Sequence, residues 1–220
     1  MLKLKNFILG EARTNVYVIY SKDKSIRDAS IIDIGENPIK LMDFLESEEL
    51  IPKNLFLTHT HFDHIGGLPF LLNKYKDIKV YLHKNDFNGF FSPKDNLSYL
   101  RGDNIFYLEK DIVFEYKFVC EGDLVEFLGS KVEIFFVPGH SPGSLSYRIA
   151  DMFFSGDVLF RGSIGRTDFF HGDYGVLCSS LKKINSVVES NFKIYPGHGF
   201  STNIEQERNL NISFIKAQKT

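Results

Sequence analysis

Four short stretches constrain this chain more than any other feature. Thr58 to Gly67 reads THTHFDHIGG, residues 138–140 read PGH, 155–157 read SGD, and 195–199 read YPGHG. Each follows a run of strand-type residues: LFL, EIFFV, MFF and FKI respectively. Loops at strand ends bring side chains distant in sequence to one rim of a sheet, where functional groups gather. A chain patterned this way is pushed toward a sheet-based fold with its chemistry at the strand ends.

The residue types in those loops are metal ligands. Neutral imidazole is the commonest nitrogen donor to zinc, and carboxylate supplies oxygen. His59 and His61 are two apart and share a face if the backbone is extended. Asp63 and His64 come where the chain turns toward the next helix, so the loop can aim one pair at each of two ions. Adding His140, Asp157 and His198 takes the set beyond the four donors of a closed tetrahedral site. It suffices for two divalent ions with water left in the coordination sphere, which is a catalytic arrangement. A single histidine in a Gly/Pro loop is usually just a polar loop residue, and that reading holds for His140 or His198 taken alone. It is a poor reading of the 59–64 cluster. Of the other histidines, His83 ends a strand and His171 sits in FFHGD, and both are expected to be structural or merely exposed.

Composition excludes several classes. Lys and Arg number 26 against 28 Asp and Glu, a formal net charge of −2, so nothing argues for nucleic acid or an anionic membrane as partner. No apolar run approaches the roughly 20 residues needed to span a bilayer, and the N-terminal MLKLKNFILGEARTN lacks a signal-peptide pattern. The two cysteines, Cys120 and Cys178, lack metal-type spacing. Both sit in apolar neighbourhoods (KFVC, GVLC), the setting of buried free thiols in a reducing cytosol. A cytoplasmic protein is the expectation. Oligomeric state is not legible.

Patterning predicts strands at 15–20, 29–35, 54–58 and 78–83, with helices over 38–50 and 65–76. Residues 84–120 are rich in Phe and Tyr but have no clean period. Beyond Asp123 two hairpins are expected, one around Gly129-Ser130 and one around Ala150-Asp151. A helix from Asp173, a strand at 192–196 and a closing helix from Asn203 follow. Strands in hairpin groups with helices between them suit a mixed α/β sandwich, and residues 1–220 read as one domain.

The order THTHFDHIGG, PGH, SGDVLF, YPGHG resembles the metallo-β-lactamase superfamily, with the match running from about Asn15 to Thr202. Within it, GDVLFRGSIGRTDF (156–169) followed by GD (172–173) is similar to the glyoxalase II-like hydrolases. The resemblance implies a four-layer αββα sandwich of two mixed sheets flanked by helices, with a dinuclear site. It implies that His59, His61 and His140 hold one metal, that Asp63, His64 and His198 hold the other, and that Asp157 bridges them. Zinc is the default, with iron or manganese also suited to mixed His/carboxylate donors. Asp33, in IIDIG, matches an aspartate near the family's site, and is read either as orienting a ligand imidazole or as a turn-forming residue. One departure stands out: only residues 200–220 follow Gly199, too few for the helical glutathione-binding domain of typical glyoxalase II enzymes, as in small bacterial members of the group.

The implied activity is hydrolysis of a small-molecule thioester such as S-lactoylglutathione by a metal-bound hydroxide, the metals lowering the pKa of bound water from 15.7 to about 7. A thiolate leaves readily without a proton, its conjugate acid having a pKa of about 8.5, whereas an amine needs a general acid. No spare His or Glu in the motif loops supplies one, although Asp63 or a bound water can shuttle a proton. The alternative on the same scaffold is a persulfide dioxygenase using one iron at His59, His140 and Asp157. Arg161 and Arg166 are expected to brace their loop rather than meet a substrate carboxylate. Phe87, Phe90, Phe91 and Tyr99 either line the pocket or pack the core.

Overall fold

The structure is a computed structural model, and it describes residues 1–109 and 111–220. The chain divides into two compact units, residues 1–82 with 87–118, and residues 83–86 with 119–220.

The first unit runs β1 (Leu2–Leu9), β2 (Thr14–Ser21), β3 (Asp28–Ile32), α1 (Ile39–Ser47), β4 (Ile51–Phe56), α2 (Phe62–Ile65), α3 (Leu68–Lys74), β5 (Lys79–Leu82) and β6 (Glu115–Phe118), with a 3-10 turn at Ser98–Arg101. A further 3-10 stretch, Lys84–Phe90, starts in the second unit's segment and ends in the first. The six strands form one sheet in sequence order, antiparallel as far as β3 and parallel from there. Parallel neighbours need crossovers, which α1 and the α2–α3 pair supply on the way from β3 to β4 and from β4 to β5. Leu41, Leu45, Leu68 and Leu71 of these helices join Val18, Ile31, Leu55 and Val80 of the sheet in one core. Intervening strand residues Tyr17, Ile19, Ile32 and Phe56 are buried too. Burial on both faces is why β2 reads as the unbroken run NVYVIY instead of alternating.

α1 ends three residues earlier than its apolar pattern suggests. Leu50 N–H bonds the Leu45 carbonyl (2.7 Å) and Glu49 N–H the Glu46 carbonyl (3.0 Å), with Glu49 left-handed at φ 53°. That is a Schellman closure, here without its usual glycine. The edge strands β1 and β6 were not legible as strands. β6 is exposed throughout and β1 is half-buried or exposed as far as Ile8, and both carry alternating charges (Lys3 and Lys5; Glu115 and Lys117), which protect an edge from pairing but blur the apolar signal. In the aromatic stretch, Phe90 is fully buried in the core, Phe87 packs against it, and Phe91 and Tyr99 are exposed.

The second unit contains β7 (Leu124–Phe127), β8 (Ser130–Phe136), β9 (Leu145–Ile149), β10 (Met152–Gly156), β11 (Leu159–Phe160), β12 (Ser163–Ile164), α4 (Tyr174–Val187), β13 (Lys193–Pro196), α5 (Ile204–Leu210) and α6 (Ile212–Ala217). Its main sheet has the order β13-β10-β9-β8-β7, with β13 parallel to β10 and the other pairs antiparallel. Leu177, Leu181 and Ile184 of α4 pack with Phe214, Phe153 and Ile194. The β7–β8 turn is Leu128-Gly129, one residue before the expected pair. Both residues are left-handed (φ 50° and 71°), as a two-residue hairpin of the observed hand requires. The expected closing helix is two helices. Asn211 breaks it: its side-chain amide donates to the Ser163 carbonyl (2.9 Å) and Glu207 Oε2 (2.8 Å), and its Oδ1 accepts the Phe214 N–H (3.0 Å), so it caps α6.

Both cysteines are free, and Cys178 is buried as expected. Cys120 is exposed, which corrects the expectation drawn from its apolar neighbours. It opens the turn after β6, where its N–H bonds Asp123 Oδ2 (2.9 Å). Among the described residues, no helix is long and apolar enough to cross a membrane.

Candidate metal centre

In the first unit, β4 ends at Phe56 and the chain stays non-helical through His61, whose extended backbone (ψ 147°) caps α2. His59 and His61 therefore lie on irregular chain, while Asp63 and His64 lie on a single helical turn. All four are buried. The His59 ring centroid is 4.5 Å from that of His61 and 4.1 Å from that of His64. The glycines that follow are needed for space. A Cβ on Gly67 would stand 3.0–3.1 Å from Ile34, Pro38 and the Gly35 carbonyl, with which Gly67 N–H bonds.

Asp33 organises this cluster. It sits just past β3 in a left-handed conformation (φ 56°) with its side chain buried. Its carboxylate accepts the Thr58 N–H (2.8 Å) and the Thr58 hydroxyl (2.8 Å), and stands 2.8 Å from His64 Nδ1. Since the Thr58 proton goes to a carboxylate, which only accepts, Thr58 Oγ1 must take the Nδ1–H of His59, 3.0 Å away. Both imidazoles thus carry hydrogen on Nδ1, and when neutral each presents the lone pair of Nε2. Thr14 Oγ1 donates to Asp63 Oδ2 (2.9 Å), which lies 3.5 Å from His64 Nε2.

In the second unit the ligand-type residues come from three loops. His140 follows β8, Asp157 follows β10, and His198 follows β13. His140 Nδ1 donates to the Arg166 carbonyl (2.8 Å), so its Nε2 likewise carries a lone pair in the neutral ring. That Nε2 lies 3.6 Å from Asp157 Oδ2, and His198 Nε2 lies 3.2 Å from the same oxygen. Close packing holds these loops. A Cβ on Gly165 would be 1.9 Å from the Asp157 carbonyl, and one on Gly139 (φ 128°) would be 2.4 Å from the backbone nitrogen of Leu177 in α4. Arg166 itself forks onto Asp168 (2.9 and 2.8 Å) and stacks on Phe169, bracing the loop.

These residues fit divalent metal. Nitrogen lone pairs aimed at carboxylate oxygens repel unless a proton or cation stands between them, and the Nδ1 hydrogens of His64 and His140 are already committed elsewhere. Each of the seven residues offers a nitrogen or oxygen ligand atom, a donor set that suits first-row divalent ions. His83 is different: it is buried, stacks on Phe136 (4.3 Å between ring centroids), and burial pushes its pKa down, with Lys84 adding to this. His171 is exposed and left-handed (φ 69°).

Several supporting groups stand outside the motif loops' ligand pattern. The Thr58 hydroxyl adjoins the candidate ligand His59, and its place beside that loop is a usable cue, whereas Thr14 reaches Asp63 from 49 positions away. The Arg166 carbonyl has no residue signature at all. Glu36 and Arg101 belong to no motif. Arg101 Nη1 donates to Glu36 Oε1 (2.6 Å). Burial pushes the Glu36 carboxyl up, Arg101 opposes this, and the Asp63 charge adds to it.

Comparison with known proteins agrees with the geometry. The family model described as the metallo-beta-lactamase superfamily matches residues 9–198. A Bacillus subtilis protein described as a probable metallo-hydrolase is 35% identical over 96% of both chains. A Haemophilus influenzae hydroxyacylglutathione hydrolase is 33% identical over 90% of this chain and 91% of its own. Among solved structures, the BLEG-1 B3 metallo-beta-lactamase is 35% identical with a TM-score of 0.83, over 96% of this chain and 99% of that one. TTHA1623, solved in a di-iron-bound form, is 30% identical with a TM-score of 0.78, over 94% and 98%. Two large mixed sheets with helices, a family model spanning most of the sequence and a His/Asp donor set suited to divalent metal lead to one conclusion: the chain belongs to the metallo-β-lactamase superfamily of metal-dependent hydrolases.

Proposed function

We propose that the chain hydrolyses thioesters in the manner of glyoxalase II, with His59, His61 and His140 binding one divalent metal, Asp63, His64 and His198 a second, and Asp157 both. The observation that carries the substrate class is the 33% identity, over nine-tenths of each chain, to a hydroxyacylglutathione hydrolase. The bound metals would supply hydroxide at neutral pH and polarise the acyl carbonyl. The protein's own part is orientation. Asp33 and Thr58 keep Nε2 of His64 and His59 available as donors, the Arg166 carbonyl does so for His140, and Thr14 holds one oxygen of Asp63. Asp63 is the candidate to pass a proton. A thiolate leaving group makes little demand on it, which favours a thioester. Zinc suits the donors, and the di-iron relative makes iron the first competitor.

A second reading, lactam hydrolysis, is favoured by the 35% identity to a protein solved as a B3 metallo-beta-lactamase. One experiment separates the readings: metal analysis of the purified protein, with turnover of S-lactoylglutathione and of a lactam panel, and oxygen uptake with glutathione persulfide. Thioester turnover without oxygen uptake is expected, and His59→Ala should remove most of it while the protein stays folded. Faster turnover of a lactam, or oxygen consumption, would reject the thioesterase reading. Wild-type turnover by His59→Ala would reject the role given to His59.

A further inference from the structure

We propose that Asp86 is the positioning residue that sets the His140 loop, gripping residues 141–144 so that His140 is held ready for metal. This rests on the reading of His140 as a ligand. Residues 83–86 are an insertion into the second unit, flanked on both sides by chain of the first. They grip the loop in three ways. His83 stacks on Phe136 at the end of β8. Asn85 Nδ2 donates to the Pro142 carbonyl (3.2 Å). The buried Asp86 carboxylate takes two donors, Ser141 Oγ–H on Oδ2 (2.6 Å) and Gly143 N–H on Oδ1 (2.5 Å). Ser141, next to His140, also meets Ser144 Oγ (2.7 Å), which accepts the Ser141 N–H (3.1 Å).

The fit leaves no room for alternatives. A Cβ on Gly143 would lie 2.6 Å from Asp86 Cγ, so the loop approaches the carboxylate as closely as a glycine permits. A carboxylate with one oxygen on a main-chain N–H and the other on a hydroxyl fixes both the position and the rotation of the short loop between them. Ser141 and Ser144 therefore belong to a lock centred on Asp86. Groups that hold a ligand in place typically change metal affinity 10- to 100-fold when removed.

The test is zinc affinity, measured by competition with a chromophoric chelator on the intact protein, with thermal midpoint recorded beside it. Asp86→Ala is expected to weaken binding of one metal equivalent about 10- to 100-fold. Asp86→Asn keeps an oxygen for Gly143 N–H and can donate to Ser141, whose own proton turns to Ser144, so it should restore affinity to within about threefold. Ile149→Ala, in β9, is the control: it should lower the midpoint without weakening metal binding. Affinity in Asp86→Ala at the wild-type level, or lowered no more than in Ile149→Ala, overturns the proposal. Should Asp86→Ala not fold, Ser141→Ala decides; a severalfold loss supports the lock and wild-type affinity overturns it. His140→Ala separates the two levels. Full metal retention there sinks the ligand reading, whereas metal loss there with retention in Asp86→Ala sinks this inference alone.

Discussion

In the first unit a single carboxylate, Asp33, reaches Thr58 and His64 directly and His59 through the Thr58 hydroxyl. In the second, the His140 ring leans on a main-chain carbonyl, Gly139 and Gly165 pack against backbone, and the side-chain grip of Asp86 on the loop reaches residues 141 and 143 and not the imidazole. The first arrangement concentrates its candidate ligands in one loop and the support of two of their rings in one side chain. The second spreads both over several loops. A side-chain support is exposed to a single substitution, whereas a main-chain support tolerates any side chain that leaves the backbone where it is.

The sharpest way to break this comparison is to pair Asp33→Ala with Arg166→Ala. Removing Asp33 leaves the Thr58 N–H and hydroxyl without their buried acceptor and frees two imidazoles to turn. A loss of about 3–5 kcal/mol in urea unfolding is expected, with weakened zinc binding. Arg166→Ala keeps its carbonyl and forfeits an exposed pair with Asp168, so a change within about 0.5 kcal/mol and unaltered zinc affinity are expected. Equal effects from the two would erase the distinction.

Backbone packing in the second unit should show next. Gly139→Ala meets both a left-handed φ and the backbone of Leu177, and should cost about 2–4 kcal/mol. Gly129→Ala, at φ 71° near the left-handed helical region and with nothing within 4 Å of the new Cβ, should cost only about 1 kcal/mol. Similar unfolding midpoints for the two would mean that close approach at Gly139 is not what holds the His140 loop.

His83 offers a pH test. Its folded pKa lies below the usual 6.5, for which burial is the main cause. The unfolded chain therefore binds the proton first as pH falls, and stability present above about 6.5 is lost on the way down to the folded pKa. His83→Phe keeps the stack on Phe136 and abolishes this loss. Its stability relative to wild type should rise between pH 7.5 and 5.5 in urea titrations of metal-free protein, and a pH-independent difference would count against the shift. The smallest effect is expected at Glu49→Gly. Relieving a left-handed Glu outweighs an exposed pair with Arg27, for a gain of about 0.5 kcal/mol seen as a higher unfolding midpoint.

β2, buried on both faces, was legible because an unbroken apolar run admits few other readings, whereas β4 was legible only toward its buried end, Leu55-Phe56, since exposed Lys53 interrupts its start. β1 and β6 were not, since an edge strand has charges where a core strand has side chains to bury. Glu49 shows why α1 is shorter than its apolar period. Its left-handed closure used a residue type with no turn signal, and an apolar period cannot report a backbone sign. Cys120 shows the converse error: apolar neighbours along the chain do not imply burial when the chain turns outward at that residue.

The candidate ligands were legible in the sequence alone, since only a few side-chain types donate nitrogen or oxygen to a divalent ion, and the chain places them after strand-like runs in an order resembling a known family. The supports were decided by tertiary structure. Which nitrogen of His140 carries the proton depends on a carbonyl 26 positions away, and the shape of its loop depends on Asp86, 55 positions from Ser141. The physical reason is that a main-chain carbonyl or a close backbone approach has no residue identity, so such a contact exists only once folding has brought its two partners together.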